Sequence, residues 1–592
     1  MPSPFQAFAR REPAVLSLSV LANRPAAESK QSHFEVLVRH LLRRFFQNEA
    51  MATEEDAKRS IQLGSMVALP GLLVALYLLP SYHAYPIRRT FWPQVSDHYF
   101  YITYSLVVMG IVTLYEADLL FPDLLDVFVL SSLPIAKRRL FFARIAAIGV
   151  FLGLVLLGSN SLGILFLPAV ADLAHPLRHL LAHLVAVSMS GIFASAFFLA
   201  LQGVLFCVFS ARILDRILPL VQAGSIVVLL TVLFLFPVVS TALESVLKSN
   251  ANLARVIPGF WFLGIYECVL GGSSTLPVFR GLAQAGCIAT LISLLLLFVT
   301  YPLAYRRRVR QLIEGPGASN QKNPTGVPIG GLLHATALRL SSRRATFHFV
   351  NQSLLRIRHH RVILALHVGL AMALVIADLL LLRLEHHHLG IAFSGNGIRS
   401  AIPVIAFWTV TGLRTAVTAP IDRRGSWIFR AIVGRPSLEH LRGTMVLASA
   451  WSLGLCLAAV FLLRGIAPAA LRSPLATWGQ VVVAIGCSLL LADILFLKVL
   501  AFPLTALRRS SIADLPIAVL RYFVIFPAMV AAVVHYETWL EASFRHLAAA
   551  SLLILCAHAG LRWIYRRRVA EMRAGSDFGD SDDIFQTLGL WD

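Results

Sequence analysis

Apolar stretches of about twenty residues recur along the whole chain, and they constrain its fold more than any other feature. A helix of about 20 apolar residues crosses the roughly 30 Å hydrocarbon core of a bilayer, so each stretch is long enough to span it. We therefore expect an all-α polytopic membrane protein with about twelve transmembrane helices. The predicted spans are 62–80, 99–119, 140–167, 180–209, 220–242, 282–301, 362–382, 401–417, 445–463, 478–500, 519–535 and 547–564.

The composition and the charge pattern agree with this class. Hydrophobic residues make up 57% of the chain and charged residues only 14%, which excludes a soluble protein of 592 residues. The net charge of +21 would suggest a nucleic-acid partner in a soluble protein, but here Lys and Arg collect in alternate loops. By the positive-inside rule, this asymmetry predicts that both termini are cytoplasmic, and we expect no nucleic-acid partner.

The spans divide into two related six-span halves, and polar segments flank and separate them. Residues 33–49, HFEVLVRHLLRRFFQNE, combine apolar positions at helical spacing with arginines, which favours a helix in the cytoplasmic membrane interface; a solvated basic helix is the alternative. The expected regions are a cytoplasmic tail with this helix (1–61), the first half (62–302), a cytoplasmic linker (303–361), the second half (362–565) and a cytoplasmic tail (566–592).

Two cytoplasmic loops, 119–139 and 420–442, are predicted to bind a partner protein. The first contains FPDLLDVFVLSSLPIAKRR, a helix that is apolar over most of its circumference and so requires a cover in the cytosol. The second contains PIDRRGSWIFRAIVGRP, and the same offset relates Asp123 to Asp422 and Phe128 to Trp427. The candidate contact residues are Asp123, Leu124, Asp126, Phe128, Leu133, Pro134, Asp422, Arg423, Arg424, Trp427 and Arg430.

Both loops also have plainer interpretations. The first could extend the second span or pack against the protein's own helices. The second could be an ordinary basic loop whose Asp422 and arginines form surface ion pairs that contribute little to stability.

Three segments carry a resemblance to a known family: HFEVLVRHLLRRFFQNE, LLFPDLLDVFVLSSLPIAKRRLFFARI and PGFWFLGIYECVLGG. The chain resembles permease subunits of type-2 ATP-binding-cassette exporters, in a bacterial version with two six-span units fused. The resemblance implies that the first cytoplasmic loop holds a coupling helix that docks into a groove on the ATPase. It also implies a partly inserted external element at the third segment. The second half has no counterpart of PGFWF.

The chain has no G-x-x-x-x-G-K-[ST] motif, so it cannot hold ATP phosphates by that route. We therefore expect no cofactor in this chain and ATP on a separate ABC ATPase, with one ATPase copy at each of the two loops. The predicted function is the permease component of an ATP-driven exporter in the bacterial inner membrane, without catalytic residues of its own.

The alternative function is a secondary transporter driven by protons or sodium. Charged groups in lipid are costly and often mark ion pathways, and Asp378 and Asp493 are the intramembrane candidates. For both, an interhelical hydrogen bond to Ser, Thr or Arg is the favoured interpretation. A membrane enzyme or assembly factor is a third class, but no catalytic triad or carboxylate pair supports it.

The aromatic and glycine-rich segment 257–272 is a candidate external gate. Its candidate residues are Pro258, Trp261, Tyr266 and Glu267, with Glu267 placed to meet a cation. An interfacial aromatic belt explains the same residues equally well. His386, His387 and His388 are expected in a solvated loop rather than at a metal, because consecutive residues cannot all face one ion and no acidic or Cys ligands lie near.

Overall fold

A computed structural model gives the architecture of most of the chain. It describes residues 33–46, 90–116, 120–122, 127–128, 134–171, 175–249, 251–272, 275–314, 334–385, 388–419, 437–499, 502–504 and 520–574, and residues 74, 76, 78, 80 and 82. Eleven helices of these ranges are long and apolar enough to cross a membrane, which confirms the all-α polytopic fold. The predicted span 62–80 lies largely outside the described residues.

Within the described ranges, nine helices with defined bounds run from the N-terminal tail through the first half. In chain order they are α1 (His33–Phe46), α2 (Phe91–Tyr115), α3 (Lys137–Ala171), α4 (Pro176–Val208), α5 (Ala211–Phe234), α6 (Phe236–Ser249), α7 (Ala251–Val256), α8 (Pro258–Gly271) and α9 (Pro277–Glu314). The amphipathic helix α1 packs its Leu41 against Ala143 and Ala147 of α3. Three short helices, α6 to α8, thus separate α5 from α9.

The remaining described helices belong to the linker and the second half. They are α10 (Ser341–Arg356) in the linker, then α11 (Arg358–Leu379), α12 (Gly395–Thr418), α13 (Leu438–Arg464), α14 (Pro474–Phe496), α15 (Phe526–Leu540), which a π-helical turn Leu520–Ile525 precedes, and α16 (Phe544–Ala574). Only residues 541–543 join α15 to α16, so this half has no helix in the place of α8.

A two-stranded hairpin follows α11. Strand β1 (Leu380–Glu385) pairs antiparallel with β2 (His388–Phe393), and Leu380 lies opposite Phe393. The span predicted to reach residue 382 therefore ends at Leu379. The apolar residues of both strands suit an extended pair as well as a helix.

Two helices are buried inside the bundle. In α2 and α12 respectively, 72% and 83% of the most apolar 18-residue window is buried, compared with 11% for the span Leu520–Leu540. The halves meet where α11 packs on α5: a Cβ at Gly369 would lie 3.3 Å from Ile226 and 3.4 Å from Val227. The small residue thus permits close approach of the two helices across the halves.

Candidate functional site: a buried histidine, tyrosine and carboxylate cluster

The structure describes only part of the predicted docking loops. Phe128 is 58% exposed on the connection between α2 and α3, whereas its neighbour Val127 is buried. Pro134 is exposed at the end of the same connection. The other candidate contact residues lie outside the described residues: Asp123, Leu124, Asp126, Leu133, Asp422, Arg423, Arg424, Trp427 and Arg430.

The predicted external element is a helix, α8, set deep against its neighbours. Pro258 stands in its first turn, where a missing N–H costs no helical hydrogen bond. A Cβ at Gly264 would lie 2.6 Å from both the Ala283 nitrogen and the Phe279 oxygen of α9. Only glycine permits this approach, so Gly264 fixes the depth of α8 against α9.

The four candidate gate residues all lie on α8 but have different surroundings. Trp261 is half-buried, and its indole N–H donates to the Arg255 carbonyl at 2.7 Å. Tyr266 is fully buried and Glu267 is only 4% exposed. Tyr266 and Glu267 therefore point into the protein rather than toward solvent or lipid.

Glu267 meets a histidine of α2. Its Oε1 lies 2.8 Å from Nδ1 of His98, which is itself 1% exposed. The His98 ring stacks on Tyr266 with centroids 3.9 Å apart. One residue earlier on α2, Asp97 accepts a hydrogen bond of 2.8 Å from the Tyr82 hydroxyl. Two carboxylates and their partners are thus held beside the aromatic face of α8.

Two histidines of α4 complete the cluster. Nδ1 of His179 lies 3.1 Å from the Tyr266 hydroxyl, and the ring of His183 stands perpendicular to that of Tyr266 with centroids 5.8 Å apart. The His98 and His179 rings meet edge to face, with their centroids 5.3 Å apart. The spacing of four residues places His179 and His183 on one face of α4. We call these residues the polar cluster: Tyr82, Asp97, His98, His179, His183, Tyr266 and Glu267.

The cluster has capacity for further hydrogen bonds. Both ring nitrogens of His183 and the Nε2 of His98 are buried without a hydrogen-bond partner among the described residues. Burial, reinforced by the neighbouring Glu267 carboxylate, raises the pKa of the Tyr266 hydroxyl well above its usual value, so this hydroxyl remains a donor. Histidine and carboxylate side chains held together inside a membrane protein are typical of sites that bind or relay protons.

The carboxylates of the second half have different partners. Asp378 accepts a hydrogen bond from Ser400 of α12, which fits the interhelical bond favoured from the sequence. Asp493 is bonded to His558 of α16, and the Arg562 Nε lies 3.8 Å from it. Both aspartates therefore join neighbouring helices.

Neither a metal-binding group of side chains among the described residues nor a similar protein accounts for the polar cluster. Within the part of the chain that the structure describes, no three His, Cys, Asp or Glu side chains are grouped so that they could hold a metal ion. Comparison of the chain with protein-family models, with curated proteins and with solved structures finds no match.

Sequence reasoning identified only the α8 side of this cluster. It selected Tyr266 and Glu267 but not Asp97, His98, His179 or His183, since each of these stands near the start of its span and resembles an interfacial residue. Two features could have pointed to them: the adjacent Asp97 and His98, and the i, i+4 spacing of His179 and His183 in an otherwise apolar helix.

Proposed function

We propose that the chain is the membrane-spanning permease of an ATP-driven exporter in the bacterial inner membrane. Two copies of a separate ABC ATPase would dock on the cytoplasmic loops 119–139 and 420–442, and their closure would switch the permease between inward- and outward-open states. The orientation that this requires, with both termini cytoplasmic, follows the distribution of Lys and Arg.

The exposed ring of Phe128 carries this proposal. It is 58% exposed on the connection between α2 and α3, within a run of leucines and valines whose exposure to water is unfavourable. The contact of α1 with α3 supports the same arrangement, because an interfacial helix would brace the span that leaves the loop. The inserted helix α8 between the fifth and sixth predicted spans is a further supporting feature.

The experiment is purification of the tagged full-length chain from native membranes, followed by identification of co-purifying proteins and assay of ATP hydrolysis. Phe128→Asp combined with Trp427→Asp should remove the ATPase and its stimulated activity while the chain remains inserted. Leu340→Asp is the matched control, because Leu340 is also an exposed apolar residue outside the spans, at 49% exposure. If the double variant retains as much ATPase as the control, the proposal is wrong.

The polar cluster favours a second candidate, a secondary transporter driven by protons. Buried His98 and Glu267 lie within hydrogen-bonding distance inside the membrane bundle, an arrangement that proton relays use. In cells depleted of ATP, such a transporter would continue until a protonophore collapses the gradient, whereas the exporter would stop at once. His98→Gln should abolish proton-driven transport and leave ATP-driven transport measurable.

A further inference from the structure

The second half contains a cleft that is apolar along its length and basic at one end. It lies between α14, α15 and α16 and has a volume of about 640 Å³. Val483 and Leu490 of α14, Val533 of α15 and Ile554 of α16 line its apolar part. Helices α15 and α16 are largely exposed, since only 11% of the apolar window of each span is buried, so the cleft opens toward lipid.

Four cations line the same cleft: Arg414, Lys498, Arg521 and Arg568. Arg414 and Arg568 lie near the C-terminal ends of α12 and α16, and Lys498 follows the end of α14. Arg521 is the second residue of the π-helical turn before α15. Because successive spans run in opposite directions, all four positions lie at one end of the bundle. On the predicted orientation this end is cytoplasmic.

Three of these cations have no protein counter-charge among the described residues. In that part of the chain no carboxylate lies within 4.0 Å of the charged group of Lys498, Arg521 or Arg568. The nearby Asp493 instead contacts His558 and Arg562. Several cations beside an apolar cavity attract an amphipathic molecule that has an anionic group and an apolar chain.

The first half provides an internal comparison. A cleft of about 870 Å³ lies between α3, α4 and α9, lined by residues such as Phe142, Leu152 and Phe298, and no charged side chain lines it. Space for acyl chains is therefore common to both halves. The cluster of cations distinguishes the cleft of the second half.

We propose that this cleft binds an anionic phospholipid of the surrounding bilayer. The headgroup phosphate lies among Arg414, Lys498, Arg521 and Arg568, and an acyl chain runs along α14 toward Val533. A helix rises roughly 18 Å between Arg521 and Val533. One leaflet contributes roughly 15 Å of hydrocarbon, half of the bilayer core, so the lengths match. The site does not depend on whether an ATPase drives the protein.

The test measures lipid adducts on the purified full-length chain by native mass spectrometry. Phosphatidylglycerol and phosphatidylcholine with identical chains are titrated separately, and glycerol phosphate serves as the headgroup without chains. We expect phosphatidylglycerol to bind at least tenfold more tightly than phosphatidylcholine, and glycerol phosphate not to bind. Equal binding of the two lipids, or binding of glycerol phosphate alone, would overturn the proposal.

Variants locate the site. Arg521→Gln with Arg568→Gln should weaken phosphatidylglycerol binding about tenfold and leave phosphatidylcholine unchanged. The matched control is Arg306→Gln with Arg310→Gln, which removes two exposed cations of α9 outside the cleft and should change neither. An undiminished preference in the first pair would show that the cleft is not the site.

A second variant keeps all four cations and narrows the apolar part. Val533→Trp should reduce phosphatidylglycerol binding as strongly as the double arginine variant does. It decides the question if the arginine variant does not fold, because full binding by Val533→Trp would place the lipid elsewhere.

Discussion

Carboxylates in two regions of the protein, the polar cluster and the contact between α12 and the end of α15, have partners of different kinds. In the first half, Glu267 faces His98 at 2.8 Å and Asp97 faces the Tyr82 hydroxyl, so their partners are side chains that can be neutral. In the second half, Glu541 forms a two-bond contact with Arg399, at 2.6 and 3.2 Å. Arginine remains charged at any physiological pH.

This difference separates adjustable from permanent interactions. A pair made by histidine can change its proton content without leaving its place, whereas an arginine and carboxylate pair keeps both charges and mainly fixes two helices together. The first half also has the inserted helix α8, which supplies Tyr266 and Glu267, and the second half has only residues 541–543 in the equivalent connection. Histidine also pairs with a carboxylate in the second half, at Asp493 and His558, so the contrast is between these two contacts and not between the whole halves.

The largest predicted effect tests whether α8 must lie deep in the bundle. Gly264→Val would place side-chain atoms where the Ala283 nitrogen and Phe279 oxygen lie only 2.6 Å from a Cβ. Overpacking at this contact should lower the free energy of unfolding by about 3 kcal/mol, measured by denaturation of the purified protein. Gly281→Ala on α9 is the control, because no heavy atom lies within 4 Å of its Cβ position. Equal stability of the two variants would show that α8 is not held there.

The next effect tests the partner of His98. Glu267→Leu leaves the buried Nδ1 of His98 without its hydrogen-bond partner. The variant should therefore have a free energy of unfolding lower by about 2 kcal/mol. Glu267→Gln keeps a hydrogen-bonding group at the same length and should recover most of this loss. The thermal unfolding midpoint in detergent gives the measurement. If both variants unfold like the wild type, the His98–Glu267 contact adds nothing to stability and its contrast with the Arg399–Glu541 contact fails.

The sequence predicted the fold far better than the site. Hydropathy identifies spans because about 20 apolar residues suffice to cross the bilayer, and this logic located each of the eleven described candidates. Hydropathy misplaced helix ends where residues outside the lipid continue the helix. Helix α9 continues to Glu314 beyond the predicted end at 301, since arginines continue a helix with their charges outside lipid.

The polar cluster as a whole could not be predicted, because α2, α4, α8 and the segment of Tyr82 assemble it. His98, His179 and Glu267 belong to α2, α4 and α8, and only the packing of those helices brings them together. Local periodicity carries no information about which helices become neighbours. The docking residues around Asp422 and Trp427 remain predictions, because they lie outside the described residues.

A smaller effect is expected for the Arg399–Glu541 pair of the second half. The side chains of Arg399 and Glu541 are 18% and 17% exposed, so their attraction is only partly screened. A double-mutant cycle with Arg399→Ala and Glu541→Ala should give a coupling of about 1 kcal/mol, measured by thermal unfolding. A coupling indistinguishable from zero would contradict a pair that holds the two helices together.

The smallest effect belongs to an exposed pair of the first half. Lys248 and Glu244 lie one turn apart on α6, 2.6 Å between Nζ and Oε1, with side chains 61% and 47% exposed. Glu244→Gln removes the ion pair but leaves Lys248 over the Trp92 ring, at 5.2 Å from its centroid. Because water and salt screen such pairs, the loss should be about 0.3 kcal/mol in low salt and should disappear in high salt. An effect as large as that of Glu267→Leu would mean that exposure to water does not distinguish weak pairs from strong ones in this half.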